Sequence, residues 1–284
     1  MTQPSLDIVA IGDAIVDVIA TCDDAFLVGH GLPKGSMQLL DTDAANRLYA
    51  AMGNARETSG GSAANSMAGI AAMGGKAAFI GQIADDQLGE IFRHDMRALG
   101  VHFDTPALNS GNDQPTGRCL ILVTPDAQRT MNTCPGASHQ LKPQALDEQL
   151  IASASILMLE GYLWGPELPR KAMHRAIEIA RAAGGKVAST LSESVCIAGR
   201  REGFAQMIDQ GGIDLLFAND LEALQLTGAR DLGEALAMLA AKVPTLVIPR
   251  GPLGALGVEE GVGVEIPAAP VDEVVDTTGA GDLF

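Results

Sequence analysis

Short apolar runs recur along the chain, separated by longer stretches in which apolar positions return every three or four residues. The runs at 8–11, 77–80, 156–159, 186–190, 215–218 and 245–249 read as strands, and helical periodicity fills most of the gaps between them. Between Glu167 and Ala182, the positions Met173, Ile177 and Ala180 mark one apolar helix face; Leu232, Leu236 and Leu239 mark another. Alternation of this kind predicts βαβ units, a parallel sheet and a three-layer α/β/α sandwich. Two stretches break the rhythm. Residues 15–41 and 101–133 are rich in strand and turn signals and poor in helical period, which predicts a small second sheet inserted into a single domain spanning 1–284. Within it, 116–123 reads as an exposed strand.

Composition sharpens this picture. In 284 residues, 47% are apolar but only 4% aromatic, so Ala, Val, Leu, Ile and Met must fill the core, as suits helices on a parallel sheet. Lys and Arg number 19 against 35 Asp and Glu, a formal charge of -16 that repels nucleic acid and anionic membrane alike and favours a small-molecule partner. Cys22, Cys119, Cys134 and Cys196 are widely spaced without metal-ligand spacing, and read as buried free thiols. The first residues carry no basic leader and no apolar run reaches membrane-spanning length, so a cytoplasmic location is the expectation.

Candidate chemistry is densest at Asp276-Thr277-Thr278-Gly279-Ala280-Gly281-Asp282. Gly279 and Gly281 allow a sharp bend that turns successive N–H groups, those of Gly279, Ala280 and Gly281, toward a bound anion. Asp282 follows at once. A carboxylate repels phosphate but is well suited to take a proton from a hydroxyl that attacks it. An ordinary strand-to-helix turn with a capping Asp is the plain structural alternative.

Three other segments hold polar groups at the ends of predicted strands, where open α/β sheets bind ligands. After the first strand come Asp13 and Asp17; an ionised Asp suits the gripping of a vicinal diol, although Asp13 serves equally well as a turn-former. Ser59-Gly60-Gly61-Ser62-Ala63-Ala64-Asn65-Ser66 brings Gly60 and Gly61 before a helix whose first turn carries Asn65. Asn219 and Glu222 share one side of a helical turn and suit the water shell of Mg²⁺, or simply cap that helix. Finally, Arg250-Gly251-Pro252-Leu253-Gly254 is a glycine loop after a strand; it is not a Walker A sequence, and no GxGxxG follows the first strand to suggest a dinucleotide-binding dehydrogenase.

Together, and in this order, the DTTGAGD, GGSAAN, NDLE and RGPLG strings resemble the ribokinase (PfkB) family of carbohydrate and nucleoside kinases. The resemblance implies a ribokinase-like, Rossmann-type sandwich with a small β-sheet lid over the acceptor site, and a further helix beyond Phe284. It implies Asp282 as catalytic base, Gly279, Ala280 and Gly281 as anion hole, and Asp17, Gly60, Gly61 and Asn65, with Asp13 beside them, on the acceptor. Asn219, Glu222, Arg250, Gly251 and Gly254 would lie along Mg-ATP, and Asp276 at a monovalent-cation site for which K⁺ is the candidate. The segment 81–89 also matches the family and reads as structural. The 117–137 stretch and the GGSAAN string are similar to the adenosine-kinase-like branch, which makes adenosine the favoured acceptor, with Met37, Leu39, Tyr162, Leu163 and Trp164 as candidates for the base slot. The alternatives are a ribokinase, fructokinase or 2-keto-3-deoxygluconate kinase, and a non-catalytic binding protein. Relatives occur as monomers or as lid-paired homodimers, so either state is an expectation.

Overall fold

The computed structural model describes residues 5–109, 114–192, 197, 201–271 and 279–284. In chain order, β1 (Leu6–Ile11), β2 (Ile15–Thr21), α1 (Asp24–Gly29), β3 (Met37–Leu39), α2 (Thr42–Ala51) and β4 (Arg56–Gly60) are followed by α3 (Ser62–Ala72), β5 (Ala77–Ile80), α4 (Gln87–Ala98), β6 (Gly117–Val123) and β7 (Arg129–Cys134). The second half holds α5 (Glu148–Ala152), β8 (Ala154–Glu160), α6 (Glu167–Ala183), β9 (Lys186–Thr190), α7 (Arg201–Asp209), β10 (Leu215–Phe217), α8 (Asp220–Thr227), α9 (Leu232–Ala240), β11 (Thr245–Pro249), β12 (Ala255–Glu259) and β13 (Val262–Ile266).

Eight strands form the main sheet in the order β13-β12-β11-β10-β9-β8-β1-β5. The strands from β11 to β5 run parallel, and all six runs picked out by hydropathy lie among them. The terminal hairpin β12–β13 is antiparallel. Alternation along β1 shows the layering: Ile8 and Ala10 point into a core with α3 and α4, while Val9 and Ile11 point into a second core with α6 to α9. Among the described residues no helix is long and apolar enough to cross a membrane.

The second sheet has the order β3-β7-β6-β2-β4. It takes β2 and β3 from 15–41, but only 117 onward from the later stretch; residues 102 and 108 instead bridge to Ala78 and Ala84 beside the main sheet. It also gains β4, whose sequence Arg-Glu-Thr-Ser-Gly has no apolar alternation; among the described residues it is an edge strand paired only with β2. The expected exposure of 116–123 does not hold. β6 is central in this sheet, and six of its seven residues are buried. One face, with Val16, Val18, Ala20, Leu120 and Leu122, packs against Leu27 of α1, Ala45 and Leu48 of α2 and Phe92 and Met96 of α4. The Asp86 carboxylate ties this sheet to the body by accepting from Gly89 N at the head of α4 and from both the backbone N–H and the hydroxyl of Thr116 just before β6.

Among the cysteines, Cys119 and Cys134 are buried free thiols, whereas Cys22 is only partly buried because it follows the end of β2 at the sheet rim. Cys196 lies outside the described residues.

Candidate active site

Cross-strand register decides what shares a face with Asp17. In the second sheet Asp17 pairs with Cys119, Cys119 with Thr133, and Thr133 with Leu39, so these four side chains form one row. The next row on that face runs Ile19, Ile121, Met131 and Met37. Ile15, Cys119 and Ile121 form a small buried cluster there, while Leu39 at the sheet edge is 69% exposed. Asp17 is therefore a carboxylate set in an otherwise largely apolar face. Burial, and next the charge of Asp282, push its pKa up to about 6, against the pull of Arg129.

Beside Asp17 lie the glycines. A Cβ on Gly60 would come within 2.5 Å of the Asp17 carboxyl, and one on Gly61 within 2.4 Å of the Asp13 carbonyl oxygen, so both side chains must be absent for the segments to meet. Gly61 also has φ +95°, left of the range that other residues favour. It leads into α3, whose first turn carries Asn65. Asn65 Nδ2 donates to Asp282 Oδ2 at 2.8 Å, and Ser66 Oγ donates to the Asp282 carbonyl at 2.6 Å. One turn further, Gly69 makes room for Leu283, whose Cδ2 would lie 2.6 Å from an added Cβ. The segment that ends the chain thus docks along one edge of α3 through three small or polar residues.

In that segment Gly279 has φ +73°, and Leu283 N donates to Gly279 O at 3.0 Å, closing a single turn around Ala280, Gly281 and Asp282. Ala280 and Gly281 are exposed. Asp276 lies outside the described residues.

Beneath Asp13 and the 61–65 segment lies a carboxylate that the sequence reading missed. Glu160, at the end of β8 and 1% exposed, accepts from Ala63 N at 2.8 Å and from Asp13 N at 3.3 Å. Burial first, then the nearby Asp13 charge, raises its pKa, while the two N–H donors oppose the rise. Asp13 is itself buried and its pKa is raised, chiefly by desolvation, with His139 pulling the other way. Its Oδ1 has no hydrogen-bond partner.

On the other side, Asn219 and Glu222 form a reciprocal capping box at the head of α8. Asn219 Oδ1 accepts from Glu222 N, and Glu222 Oε2 accepts from Asn219 N; Asn219 Nδ2 donates to Glu222 Oε1. Arg250 is partly exposed, but its Nε is buried without a hydrogen-bond partner, as is Asp220 Oδ1 nearby. The ion pairs of Arg250 with Asp220 and Glu265 are long, at 3.9 and 3.7 Å. Arg250 N donates to Gly254 O across the loop, and Gly254 has φ +86° with a Cβ position only 2.0 Å from Ile266 O. Both groups sit at the carboxyl ends of β10 and β11. These strands lie three and four places from β1 in the sheet, about 14 to 19 Å at the usual spacing.

Of the base-slot candidates, Met37 and Leu39 share the face of Asp17. Leu163 and Trp164 do not belong to a slot: they are 0% and 3% exposed in the main core, where Trp164 stacks on Phe204 with ring centroids 5.4 Å apart. Tyr162 stands in the same 3-10 turn, partly buried.

Comparison with known proteins bears on the family and the fold. Guanosine-inosine kinase of Escherichia coli K12 is 29% identical over 234 residues, covering 79% of this chain and 53% of its own; the chain thus spans about half the length of that relative. Fructokinase of Klebsiella pneumoniae is 26% identical over 278 residues, 96% of this chain and 80% of its own. Among solved structures, adenosine kinase from Sinorhizobium meliloti superposes with TM-score 0.89 at 45% identity, covering 98% of this chain and 84% of that one. A probable sugar kinase from Rhizobium etli gives TM-score 0.89 at 41% identity, with 100% and 84% covered. The sequence family described as pfkB family carbohydrate kinase matches residues 5–284. With that match running almost end to end, and the fold shared with an adenosine kinase at close to half identity, the chain belongs to the pfkB carbohydrate kinase family.

Proposed function

We propose that the protein transfers the γ-phosphoryl group of ATP to a primary hydroxyl of a nucleoside, adenosine being the favoured acceptor. The observation that carries this reading is the face around Asp17. A ribose needs a carboxylate for its hydroxyls and a base needs apolar surface, and the rows Leu39-Thr133-Cys119-Asp17 and Met37-Met131-Ile121-Ile19 offer both side by side.

In this reading Asp17 and Asn65 hold the acceptor, and Gly60 and Gly61 let it approach the backbone. Asp282 takes the proton of the attacking hydroxyl; Asn65, which donates to its Oδ2, fixes the direction in which the carboxylate faces. The N–H groups of Gly279, Ala280 and Gly281 receive the charge on the transferring group. Arg250, with its Nε lacking a partner, offers positive charge to the nucleotide along Gly251 and Gly254. Mg²⁺ would fit the donor side through water held by Asn219 and Glu222, whose carboxylate oxygens each accept from Asn219, and it would neutralise phosphate charge there. A K⁺ site at Asp276 is part of the same proposal.

A sugar acceptor is the second reading, favoured by the similarity to fructokinase. Release of ADP measured with adenosine, guanosine, inosine, ribose, fructose and 2-keto-3-deoxygluconate separates the two. Turnover on a nucleoside at least tenfold above any free sugar is expected. Turnover on a free sugar alone overturns the nucleoside reading, and nucleoside binding with no ADP release from any acceptor points to a non-catalytic binding protein.

A further inference from the structure

Helix α3 begins without a cap of its own. Its N-cap residue is Gly61, which makes no side-chain hydrogen bond, so the first N–H groups of the helix need partners from elsewhere. Glu160 supplies one from β8, 97 residues away in sequence, through the Oε2 contact to Ala63 N. Its other oxygen reaches Asp13 N in the loop after β1. The loop and the helix head also touch directly, the Asp13 carbonyl lying against Gly61. Asp17 stands four residues beyond one of these contacts and Asn65 two residues beyond the other.

We propose that Glu160 is the positioning residue of the acceptor site: its carboxylate bridges the Asp13 and Ala63 amides and so sets the distance between the segment carrying Asp17 and the helix carrying Asn65. Two N–H donors converge on one side chain, and a carboxylate answers both because each of its oxygens accepts. A carboxamide cannot, since one of its ends is itself a donor. The space is matched to the carboxylate: a Cβ on Gly12 would lie 2.5 Å from Glu160 Oε2 and 2.8 Å from the Ala63 Cβ. Glu160 is almost fully buried under these segments, so it acts through them.

The kinetic part of the test rests on the kinase reading above; the exchange part does not. Glu160→Gln removes one acceptor without changing size, and Gly12→Ala pushes on the same contact while leaving Glu160 in place. Each variant is expected to raise the KM for the acceptor about tenfold or more while the KM for ATP moves less than about twofold. Because both act on one contact, the double variant is expected to be little worse than the poorer single one. Amide deuterium exchange, read without turnover, is expected to quicken in peptides covering 12–17 and 60–66 and to stay unchanged in those covering 245–254. Unchanged exchange in the two acceptor peptides of Glu160→Gln overturns the proposal. So does a parallel rise of both KM values, which marks general loosening. If exchange quickens at both acceptor segments but no acceptor is phosphorylated by the unaltered protein, the bridge stands and the kinase reading falls.

Discussion

Asp17 carries a cost that the proposed acceptor role would explain. An ordinary Asp titrates near 3.8, but burial and the charge of Asp282 move this one to about 6. The folded state therefore holds its proton more tightly than the unfolded chain. The associated stability is fully present below the ordinary value and is lost as pH rises through about 6. Asp17→Asn removes the ionisation, so its Tm is expected to exceed that of the unaltered protein above pH 6 and to converge with it below pH 4, as thermal scans across pH would record. The same titration reaches the ligand. As the ionised form accepts hydroxyl hydrogen bonds best, the acceptor KM is expected to rise as pH falls through 6, and Asp17→Asn to flatten that profile at a high KM. Asp282 plays a different part. Asp282→Asn keeps an oxygen for Asn65 but loses the proposed base, so kcat is expected to fall roughly 10²- to 10⁴-fold with acceptor binding nearly intact; turnover close to normal in a steady-state assay removes Asp282 from that role.

At the scale of elements, the two sides of the site are built differently. The proposed acceptor side is a convergence of β2, β4, α3 and the closing turn, and the proposed donor side is a pair of loops after β10 and β11. The donor loop depends on Gly254, where an added methyl meets Ile266 O and the backbone has positive φ. Gly254→Ala is expected to lower Tm and raise the KM for ATP severalfold while leaving the acceptor KM within about twofold, which initial-rate measurements with each substrate varied would show. Elements also explain what the sequence reveals. The six parallel strands are legible because burial on both faces leaves continuous apolar runs. The strand β4 is not legible, since its polar residues at a sheet edge resemble a loop. Glu160 resembles any acid at the end of a strand, and only the adjacency of β8 and β1 turns it toward Asp13 and Ala63. Asn219 and Glu222 were legible both as a cap and as ligands, and the reciprocal hydrogen bonds establish the cap. Which residues face Asp17 follows from strand register, and register is set by pairing rather than by local pattern.

At the scale of the molecule, β13 is the last strand of the main sheet among the described residues, with Val262, Val264 and Ile266 exposed on one face. An edge strand with exposed apolar residues is a template for pairing with another chain. Val264→Lys is expected to reduce concentration-dependent association, measured by light scattering across protein concentrations, without changing Tm by more than about 2 °C; equal association in both forms shows that this edge does not mediate it. The second sheet presents the opposite situation. Its helix-covered face is continuous with the core, so replacements there disturb the body, whereas Met37 and Leu39 lie on its edge strand β3 and Met131 on the adjacent β7, and Leu39 and Met131 are exposed. Their exchange carries little penalty in folding. On the proposed reading, preference for one acceptor over another can drift through these positions while Asp17, Asn65 and Asp282 stay fixed, as a lock keeps its bolt when its wards are refiled.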